Sequence, residues 1–287
     1  MKKITLVEGE NEYTFGINRY KIIVATNYET NYQFKQLFFK LMRQSGDSEY
    51  YQEHNHNETA LLINDKKINK KHILLTKIDS TFYLSDELKM SAKSLLLKYF
   101  ERKLSSNEFN DTIQTLQILF DSLETEINEQ TMFKIKFQKM SIKTLLKLAE
   151  AFIEKDDLVC NEYDLSYEEL VLYQLDLLRE IEKDLDLDHI LVFVDLPIIN
   201  EVLLSRLNEF SKSSFIIMTS QYPKEIDLSN FYLIGNISVD CANDEQLYYE
   251  VSERSICHYT LQEVQFMLLN YFYHKEQCTD DIISLFE

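Results

Sequence analysis

Glycine and proline are scarce in this sequence, which has 4 glycines and 2 prolines among 287 residues. A turn-rich β-sandwich or barrel needs many residues of both kinds, so the composition disfavours those folds. The chain has instead 18 tyrosines, 18 phenylalanines and a hydrophobic fraction of 45%. That composition favours helices and buried strands around a substantial core, in one large domain or two smaller ones.

Long apolar runs and closely spaced cysteines are also missing. No run of 18 apolar residues is present, which disfavours a membrane-spanning helix. The first residues, MKKITLVEGENEYTF, lack the apolar segment of a secretory signal peptide. The four cysteines form no CxxC pair, which favours reduced thiols: they are Cys160, Cys241, Cys257 and Cys278. We therefore predict a cytoplasmic protein without a membrane partner.

Positive charge is in deficit, because 30 Lys and Arg face 48 Asp and Glu, for a formal net charge of −18. Such an excess of acid normally disfavours a nucleic-acid partner. The charges are segregated, however: residues 154–188 carry thirteen acids and three bases, residues 131–147 five lysines and no acid, and residues 62–77 five lysines and one acid. Segregation is compatible with a DNA-binding face, although each run by itself is more simply the solvated face of an ordinary element.

Short apolar strands alternate with helices near both ends of the chain. The segments ITLVE and YTFGI flank a turn as in a hairpin, YKIIVAT predicts a buried strand, and NYQFKQLFFKLM predicts a helix with one apolar stripe. Beyond residue 188, three further apolar strands alternate with helical patterns: HILVFV, SSFIIMTS and NFYLIGN. This alternation predicts an α/β fold with a mostly parallel sheet that is covered on both faces.

Residues 85–188 predict a helical arm inserted into that α/β head. Its clearest helix has apolar residues that step by 3, 4, 3 and 4, the spacing of a helix that packs on another helix: Ile113, Leu116, Phe120, Leu123 and Ile127. The segment MFKIKF alternates apolar residues with lysines and predicts a strand, and SIKTLLKLAEAFI predicts another helix. We therefore expect a head of residues 1–84 and 189–287 and an α-helical arm of residues 85–188.

The segment DHILVFVDLPIINEVLL, residues 188–204, is typical of the second nucleotide-site strand of a P-loop ATPase, with Asp195 placed to hold Mg²⁺ through water. Such an ATPase also needs GxxxxGK[ST] after an early strand. The sequence ATNYETNYQF stands there, without glycine or lysine, and Tyr28 and Tyr32 would crowd a phosphate. We therefore predict a degenerate P-loop-ATPase-like head that takes no ATP. An acid that follows a buried strand, as Asp195 does, more often caps a turn or a helix, and the sequence assigns Asp195 no definite role.

No glycosidase, deaminase or hydrolase motif is present either, so we expect the chain not to be an enzyme. Two alternatives stay open from the residues alone. One is a nucleotide-binding or weak ATPase-type regulatory protein with a degenerate phosphate loop. The other is a scaffold whose helical arm pairs with protein partners.

Three segments together resemble a known family: GINRYKIIVATNYETNYQFKQLFFKL, KYFERKLSSNEFNDTIQTLQILFDSLETEIN and YQLDLLREIEKDLDLDHILVFVDLPIINEVLLSRLNEFSKSSFIIMTSQYPKEI. The first is similar to that family's degenerate nucleotide-site strand and helix, and the second to its first long arm helices. The third is similar to its helix–strand–helix–strand return into the head. The family is the type II-A CRISPR-associated adaptation protein, the second member of the Csn family, in its longer variants. The resemblance covers most of residues 1–240.

The resemblance implies a homotetrameric ring that binds the ends of double-stranded DNA in a basic central hole without sequence preference. It implies no catalysis, and it implies work beside the CRISPR integrase and the guide-directed effector nuclease when new spacers are captured. A ring that is acidic outside and basic inside would reconcile the net charge of −18 with DNA binding.

The candidate DNA-binding residues are lysines, because sequence-independent binding needs phosphate contacts and no reading of base edges. The first choice is the run in the arm: Lys134, Lys136, Lys139, Lys143 and Lys147. The second choice is the run in the head: Lys66, Lys67, Lys70 and Lys71. A helix over this part of the arm would place Lys139, Lys143 and Lys147 on one face, at i, i+4 and i+8. A plain amphipathic helix gives the same alignment.

The resemblance also implies calcium, bound by acidic side chains that support the ring. Compact relatives lead us to expect acids at the strand-to-helix junction in the middle of the arm, where this chain has KFQKMS instead. The stretch EKDDLVCNEYD, residues 154–164, could supply hard oxygen ligands, but a solvated loop is the simpler interpretation. No metal ligands are assigned from the sequence.

Overall fold

A computed structural model describes residues 1–42, 59–68, 73–82, 84–91, 94–129, 132–139, 141–183, 187–255 and 257–274. The chain divides into two compact units, residues 1–80 with 185–287 and residues 81–184. We call these the head unit and the arm unit and describe each by itself. The divisions after residues 80 and 184 lie four residues before the predicted ones after residues 84 and 188.

The described residues form the following elements in chain order. The strands are β1 (Lys2–Glu8), β2 (Asn11–Ile17), β3 (Tyr20–Ala25), β4 (Thr59–Ile63), β5 (Lys66–Lys67), β6 (Ile73–Asp79), β7 (Ile153–Lys155), β8 (Leu158–Cys160), β9 (His189–Asp195), β10 (Ser213–Met218), β11 (Phe231–Ile234) and β12 (Val239–Asp240). The helices are α1 (Tyr28–Met42), α2 (Leu84–Leu88), α3 (Leu95–Leu104), α4 (Asn110–Glu129), α5 (Ile142–Leu146), α6 (Tyr167–Glu182), α7 (Glu201–Asn208), α8 (Asp244–Arg254) and α9 (Leu261–Tyr273).

The larger sheet of the head unit is mostly parallel, as predicted. Its strand order is β12-β11-β3-β10-β9-β6, in which β12 runs antiparallel to β11 and all other neighbours run parallel. A second, antiparallel sheet has the order β2-β1-β4-β5. It contains the predicted hairpin of β1 and β2, in which Lys2 pairs with Ile17 and Gly9 adopts a left-handed φ of 61° at the turn. The predicted α/β fold class is therefore confirmed.

Helix α1 joins the two sheets through one apolar core. Its buried side chains are the predicted stripe, Phe34, Leu37, Phe38 and Leu41. They share a cluster with β1 and β2 of one sheet and with β9, β10 and β11 of the other, and Phe38 stacks on Phe193 with ring centroids 4.8 Å apart. On the opposite face of the parallel sheet, Phe272 of α9 stacks on Phe231 of β11 at 4.7 Å. The parallel sheet is therefore covered by helices on both faces, which fits strands whose side chains are apolar on both sides.

A buried ion pair fastens three strands of the head unit. Lys21 on β3 is 1% exposed, pairs with Asp240 on β12, and donates a second hydrogen bond to the carbonyl oxygen of Ser229 at 2.7 Å. The Asp240 carboxylate also accepts hydrogen bonds from the backbone N–H of Gly16 at 2.6 Å and of Ala242 at 3.0 Å. Every charge in this cluster has several partners, which is the condition for keeping a buried ion pair.

The arm unit is built mainly on α3 and α6, and α5 packs against α3. Helix α6 begins with a capping box in which the Ser166 side chain accepts from the N–H of Glu169 and the Glu169 carboxylate accepts from the N–H of Ser166. The hairpin of β7 and β8 turns at Asp156 and Asp157, which both have left-handed φ values, 53° and 62°. None of the described helices has the length and apolar composition needed to cross a bilayer.

Candidate nucleic-acid interface

The predicted strand over MFKIKF is wrong. Residues 132–139 instead form an irregular segment that is held against the C-terminal half of α4, and we call it the return segment. The side chain of Asn128 accepts from the N–H of Ile135 and donates to its carbonyl oxygen, both at 2.8 Å. The Glu124 carboxylate accepts from the N–H of Phe137 at 2.7 Å. Side chains of the helix satisfy backbone groups that a neighbouring strand would otherwise satisfy, so alternating apolar residues do not produce a strand here.

The return segment presents the first three candidate lysines to solvent. Lys134, Lys136 and Lys139 are all exposed, and the Lys134 ammonium donates to the backbone carbonyl oxygen of Asn128. Within the part of the chain that the structure describes, no carboxylate lies within ion-pair distance of Lys136 or Lys139. Two ammonium groups are therefore available for an outside anion.

The other two lysines of this run lie on a helix much shorter than predicted. Helix α5 begins after Ser141, whose hydroxyl accepts from the N–H of Thr144 at 3.1 Å, and it ends at Leu146, with Lys147 as its C-cap. Lys139 precedes the cap, so the predicted alignment of Lys139, Lys143 and Lys147 on one helix is wrong. Beyond the helix the chain makes a turn and an irregular stretch up to Ile153, where β7 begins.

Lys143 and Lys147 still lie one helical turn apart, and both are exposed. The Lys143 ammonium is 3.5 Å from the Glu101 carboxylate, with 70% of the lysine side chain exposed. An exposed pair of this kind is weak and exchanges readily for another anion. The run from Lys134 to Lys147 is therefore a solvent-exposed basic stretch on a mainly acidic chain.

The second set of candidate lysines belongs to the head unit. Lys66 and Lys67 form β5 at the edge of the antiparallel sheet, and both are exposed. They follow a turn at Asn64 and Asp65, whose left-handed φ values are 52° and 63°. Exposed lysines on an edge strand also prevent pairing with other sheets, so this position has a structural explanation of its own. Lys70 and Lys71 lie outside the described residues.

The connection from β3 to α1 lies where a P-loop ATPase has its phosphate loop. It consists of two residues, Thr26 and Asn27. The Asn27 side chain accepts from the N–H of Thr30 at 2.9 Å, and the N–H of Thr26 donates to the carbonyl oxygen of Ile234 at 2.9 Å. A phosphate loop wraps its anion with several free backbone amides, whereas here the helix start is capped by the chain itself.

Asp195 makes an ion pair, contrary to the expectation that it caps a turn or helix. The Lys35 ammonium on α1 lies 2.8 Å from both carboxylate oxygens of Asp195, with the two side chains 28% and 34% exposed. The cap of the following helix is Asn200, whose side chain accepts from the N–H of Leu203 at 2.9 Å. A lysine therefore stands opposite the aspartate that would hold Mg²⁺ in a P-loop ATPase.

The acidic stretch of residues 154–164 is an ordered hairpin and turn rather than the solvated loop we expected. Lys155 on β7 pairs with Glu169 on α6 at 2.7 Å. Asp164 belongs to a capping box with Asn161 at the start of a single 3-10 turn. Across the described residues, no group of three or more His, Cys, Asp or Glu side chains could hold a metal ion. The calcium implied by the family resemblance stays a prediction without assigned ligands.

The arm unit contains an aromatic cleft of about 480 Å³ that no pattern in the sequence predicts. Aromatic side chains from three segments line it: Tyr99, Phe100, Phe152 and Tyr173. Burial raises the pKa of the Tyr173 hydroxyl to about 12, and the nearby Glu87 adds to this shift. Burial also raises the pKa of Glu87 and lowers the pKa of Lys98. These residues lie far apart in sequence, so only the folded arm brings them together.

The fold and this geometry define an α/β protein with a largely parallel sheet, helical insertions and an exposed lysine run. Among solved structures, the chain is similar to Stu0660 of Streptococcus thermophilus, with a TM-score of 0.65 and 12% sequence identity. The alignment covers 98% of this chain and 91% of that one, and at this identity it shows a shared fold alone. No protein-family model matches the sequence, and no curated protein is similar to it in sequence.

Proposed function

We propose that this chain is a non-catalytic protein that binds the ends of double-stranded DNA without sequence preference, as a homotetrameric ring, during CRISPR spacer acquisition. The observation that carries the proposal is the exposed run of five lysines between residues 134 and 147, on a chain with a net charge of −18. Lysines bind phosphates as point charges, which gives affinity without base recognition.

The fold supports the proposal at a coarser level. The family that the sequence resembles combines an α/β head with a helical arm, and the described chain has both parts. The likeness to Stu0660 extends over nearly the whole chain and concerns the fold only. The ring, the calcium ions and the integrase and nuclease partners come from the family resemblance and are parts of this proposal.

Binding to linear and closed DNA tests the proposal. A gel-shift or fluorescence assay compares a linear duplex with a covalently closed circle of the same sequence, with calcium and with a chelator. We expect the linear duplex to bind much more tightly, and its affinity to fall by about a thousandfold between about 50 and about 200 mM salt. Equal binding to both forms, or no binding at low salt, would overturn the proposal.

The nucleotide-binding alternative is favoured by one observation, the position of Asp195 at the carboxyl end of a central parallel strand. It predicts that Mg-ATP raises the thermal midpoint and that Asp195→Ala abolishes the rise. The two-residue connection between β3 and α1, together with the Lys35–Asp195 pair, leads us to expect no shift at millimolar ATP. A shift that depends on Asp195 would favour the alternative.

A further inference from the structure

Helix α4 is long and yet buries none of its residues. It has 20 residues and no buried side chain, whereas α6, with 16 residues, buries seven. The closely packed α-helix pairs of the described arm unit are α3 with α6, α3 with α5 and α2 with α3, whereas α4 packs in this way only with the short 3-10 turn Asn107–Phe109 directly before it. An isolated helix is marginal in water, and most helical stability in proteins comes from packing of an apolar face. A helix of this length therefore needs a partner beyond the return segment.

Two different stripes run along α4. One contains Phe120, Glu124 and Asn128, which are four residues apart. The return segment covers this stripe through hydrogen bonds to Glu124 and Asn128 and through Phe137, whose ring centroid lies 5.4 Å from that of Phe120. The other contains Leu119, Leu123 and Ile127, which are 59%, 44% and 38% exposed. These three residues are also four apart, and we call them the open stripe. The centres of the two stripes lie about 100° apart around the helix.

The charges of α4 are all negative and lie mostly in its second half. The helix has five acids and no base. Only one acid, Asp111, lies in the first ten residues; the rest are Asp121, Glu124, Glu126 and Glu129. A second helix that packs on the open stripe is therefore repelled if its own acids lie beside this acidic half.

We propose that the open stripe packs against the open stripe of a second copy of this chain, with the two α4 helices antiparallel and a two-fold axis at Leu123. Leu123 of one copy then meets Leu123 of the other, and Leu119 of each meets Ile127 of its neighbour. Apolar residues at helical spacing are best covered by another helix, and a two-fold pair uses the same surface twice. The inference rests on the self-association in the proposed function and not on DNA binding.

The charge distribution decides the direction of the pair. In the antiparallel register no acid of the second half is level, along the helix axis, with an acid of the other copy: Asp121 is level with Thr125, Glu124 with Ser122, Glu126 with Phe120 and Glu129 with Gln117. In a parallel pair in register each of these acids would be level with the same acid of the other copy. Like charges at such distances repel, so the antiparallel pair is favoured.

The antiparallel pair also places the lysines of both copies. The two-fold axis is perpendicular to the plane of the helices, so a feature on one side of the first helix recurs on the same side of the second. The return segments lie about a quarter of a turn from the contact, and both therefore lie on the same face of the pair. That face carries Lys134, Lys136 and Lys139 from each copy, which doubles the number of phosphate contacts that it can make.

Disulfide trapping tests the pair in the full-length chain, after Cys160, Cys257 and Cys278 are replaced by Ser. The buried Cys241 is kept. Leu119→Cys, carrying a tag, is mixed with untagged Ile127→Cys and oxidised gently. We expect a mixed disulfide in high yield and little of either self-linked dimer. The matched control is Ile118→Cys, because Ile118 is 66% exposed on another side of α4 and should not cross-link.

Predominantly self-linked dimers would overturn the antiparallel direction, and equal cross-linking of Ile118→Cys would overturn the interface. Leu123→Glu provides a second measurement: we expect at least a tenfold weaker association by analytical ultracentrifugation, with Ile118→Glu close to wild type. Leu123 is 44% exposed, and an unchanged circular dichroism spectrum checks that the fold is kept.

Binding of linear DNA by the protein, here called retention, is measured on the same samples. Retention without cross-linking would overturn the α4 pair alone, whereas cross-linking without retention would support the pair and overturn the proposed function.

Discussion

At the scale of single residues, the buried pair of Lys21 and Asp240 gives the sharpest stability prediction. We expect Lys21→Met to lower the free energy of unfolding by about 3–5 kcal/mol, because it leaves the Asp240 carboxylate buried without its counter-charge. The double variant Lys21→Met with Asp240→Asn should recover part of this loss, because the buried charge is then removed. Urea unfolding of the three proteins measures the difference. A single variant within about 1 kcal/mol of wild type would show that the site admits water or relaxes.

The pair of Lys35 and Asp195 should contribute less, because both side chains are partly exposed. A double-mutant cycle with Lys35→Met and Asp195→Asn should give a coupling energy of about 1 kcal/mol, which decreases in about 1 M salt. Chemical unfolding at low and high salt measures it. The absence of any coupling at low salt would contradict the bidentate geometry.

At the scale of elements, the start of α6 has a pH dependence with a definite sign. The Lys155 side chain, followed by the hydrogen bonds from Ser166, lowers the pKa of Glu169 from 4.5 to about 2. A carboxyl group whose pKa is lower in the folded state stabilises the fold above its unfolded pKa, and the contribution is lost as the pH falls through the folded pKa. The stabilisation by Glu169 should therefore be complete above about pH 5 and disappear between pH 4.5 and about 2.

Glu169→Gln isolates this effect, because Gln stays uncharged at every pH. We expect the variant to melt at a lower temperature than wild type at pH 6, and the difference to shrink toward zero near pH 2. Circular dichroism of the helical signal measures both melting temperatures. Glu168→Gln, in the same helical turn, is the control for helix-dipole effects. A difference that is independent of pH would contradict the assignment.

Elements differ in how well the sequence predicts them, for physical reasons. The apolar strands HILVFV, SSFIIMTS and NFYLIGN of the head were predicted correctly, because continuous apolar runs of this kind have only one way to be buried on both faces. The segments MFKIKF and SIKTLLKLAEAFI were mispredicted. The first gains its backbone hydrogen bonds from the side chains of Asn128 and Glu124, and the second is helical only over Ile142–Leu146 before the chain turns and enters β7 at Ile153. Neither outcome is visible in local periodicity, and the first depends on side chains elsewhere in the chain.

The candidate site also has features that the sequence predicts and features that it does not. The exposure of the lysine run follows from composition, because a run of five lysines without acids is too costly to bury. The sequence does not predict the Lys35–Asp195 pair, because Lys35 stands one residue beyond ATNYETNYQF, the segment in the place of a phosphate loop. Only the packing of α1 against the sheet brings this side chain to Asp195.

At the scale of the whole molecule, DNA affinity should depend on where the lysines lie and not on the net charge alone. Lys136→Gln with Lys139→Gln removes two exposed ammonium groups for which the described residues offer no carboxylate. Each phosphate contact contributes about 0.9 to the slope of log affinity against log salt, so this double variant should lower the slope by about 1.8 for each copy of the chain that contacts the duplex. Fluorescence titration with linear duplex at several salt concentrations measures it.

The matched control removes the same charge from other places in the arm unit. Lys89 and Lys183 are paired with Asp86 and Glu180 within their own helical turns. Lys89→Gln with Lys183→Gln should leave the salt slope close to wild type. An equal change in both double variants would mean that overall charge controls DNA binding, and that the return segment is not a specific interface.

The ion pair at the end of β9 also has a consequence for the conditions in which the head unit keeps its structure. A magnesium ion opposite an aspartate must be supplied by the solution, and its occupancy changes with chelators and with the nucleotide that it accompanies. The ammonium opposite Asp195 belongs to the chain, at an effective concentration fixed by the fold. This contact is therefore the same in a starved cell and a growing one, and it should survive purification in EDTA unchanged.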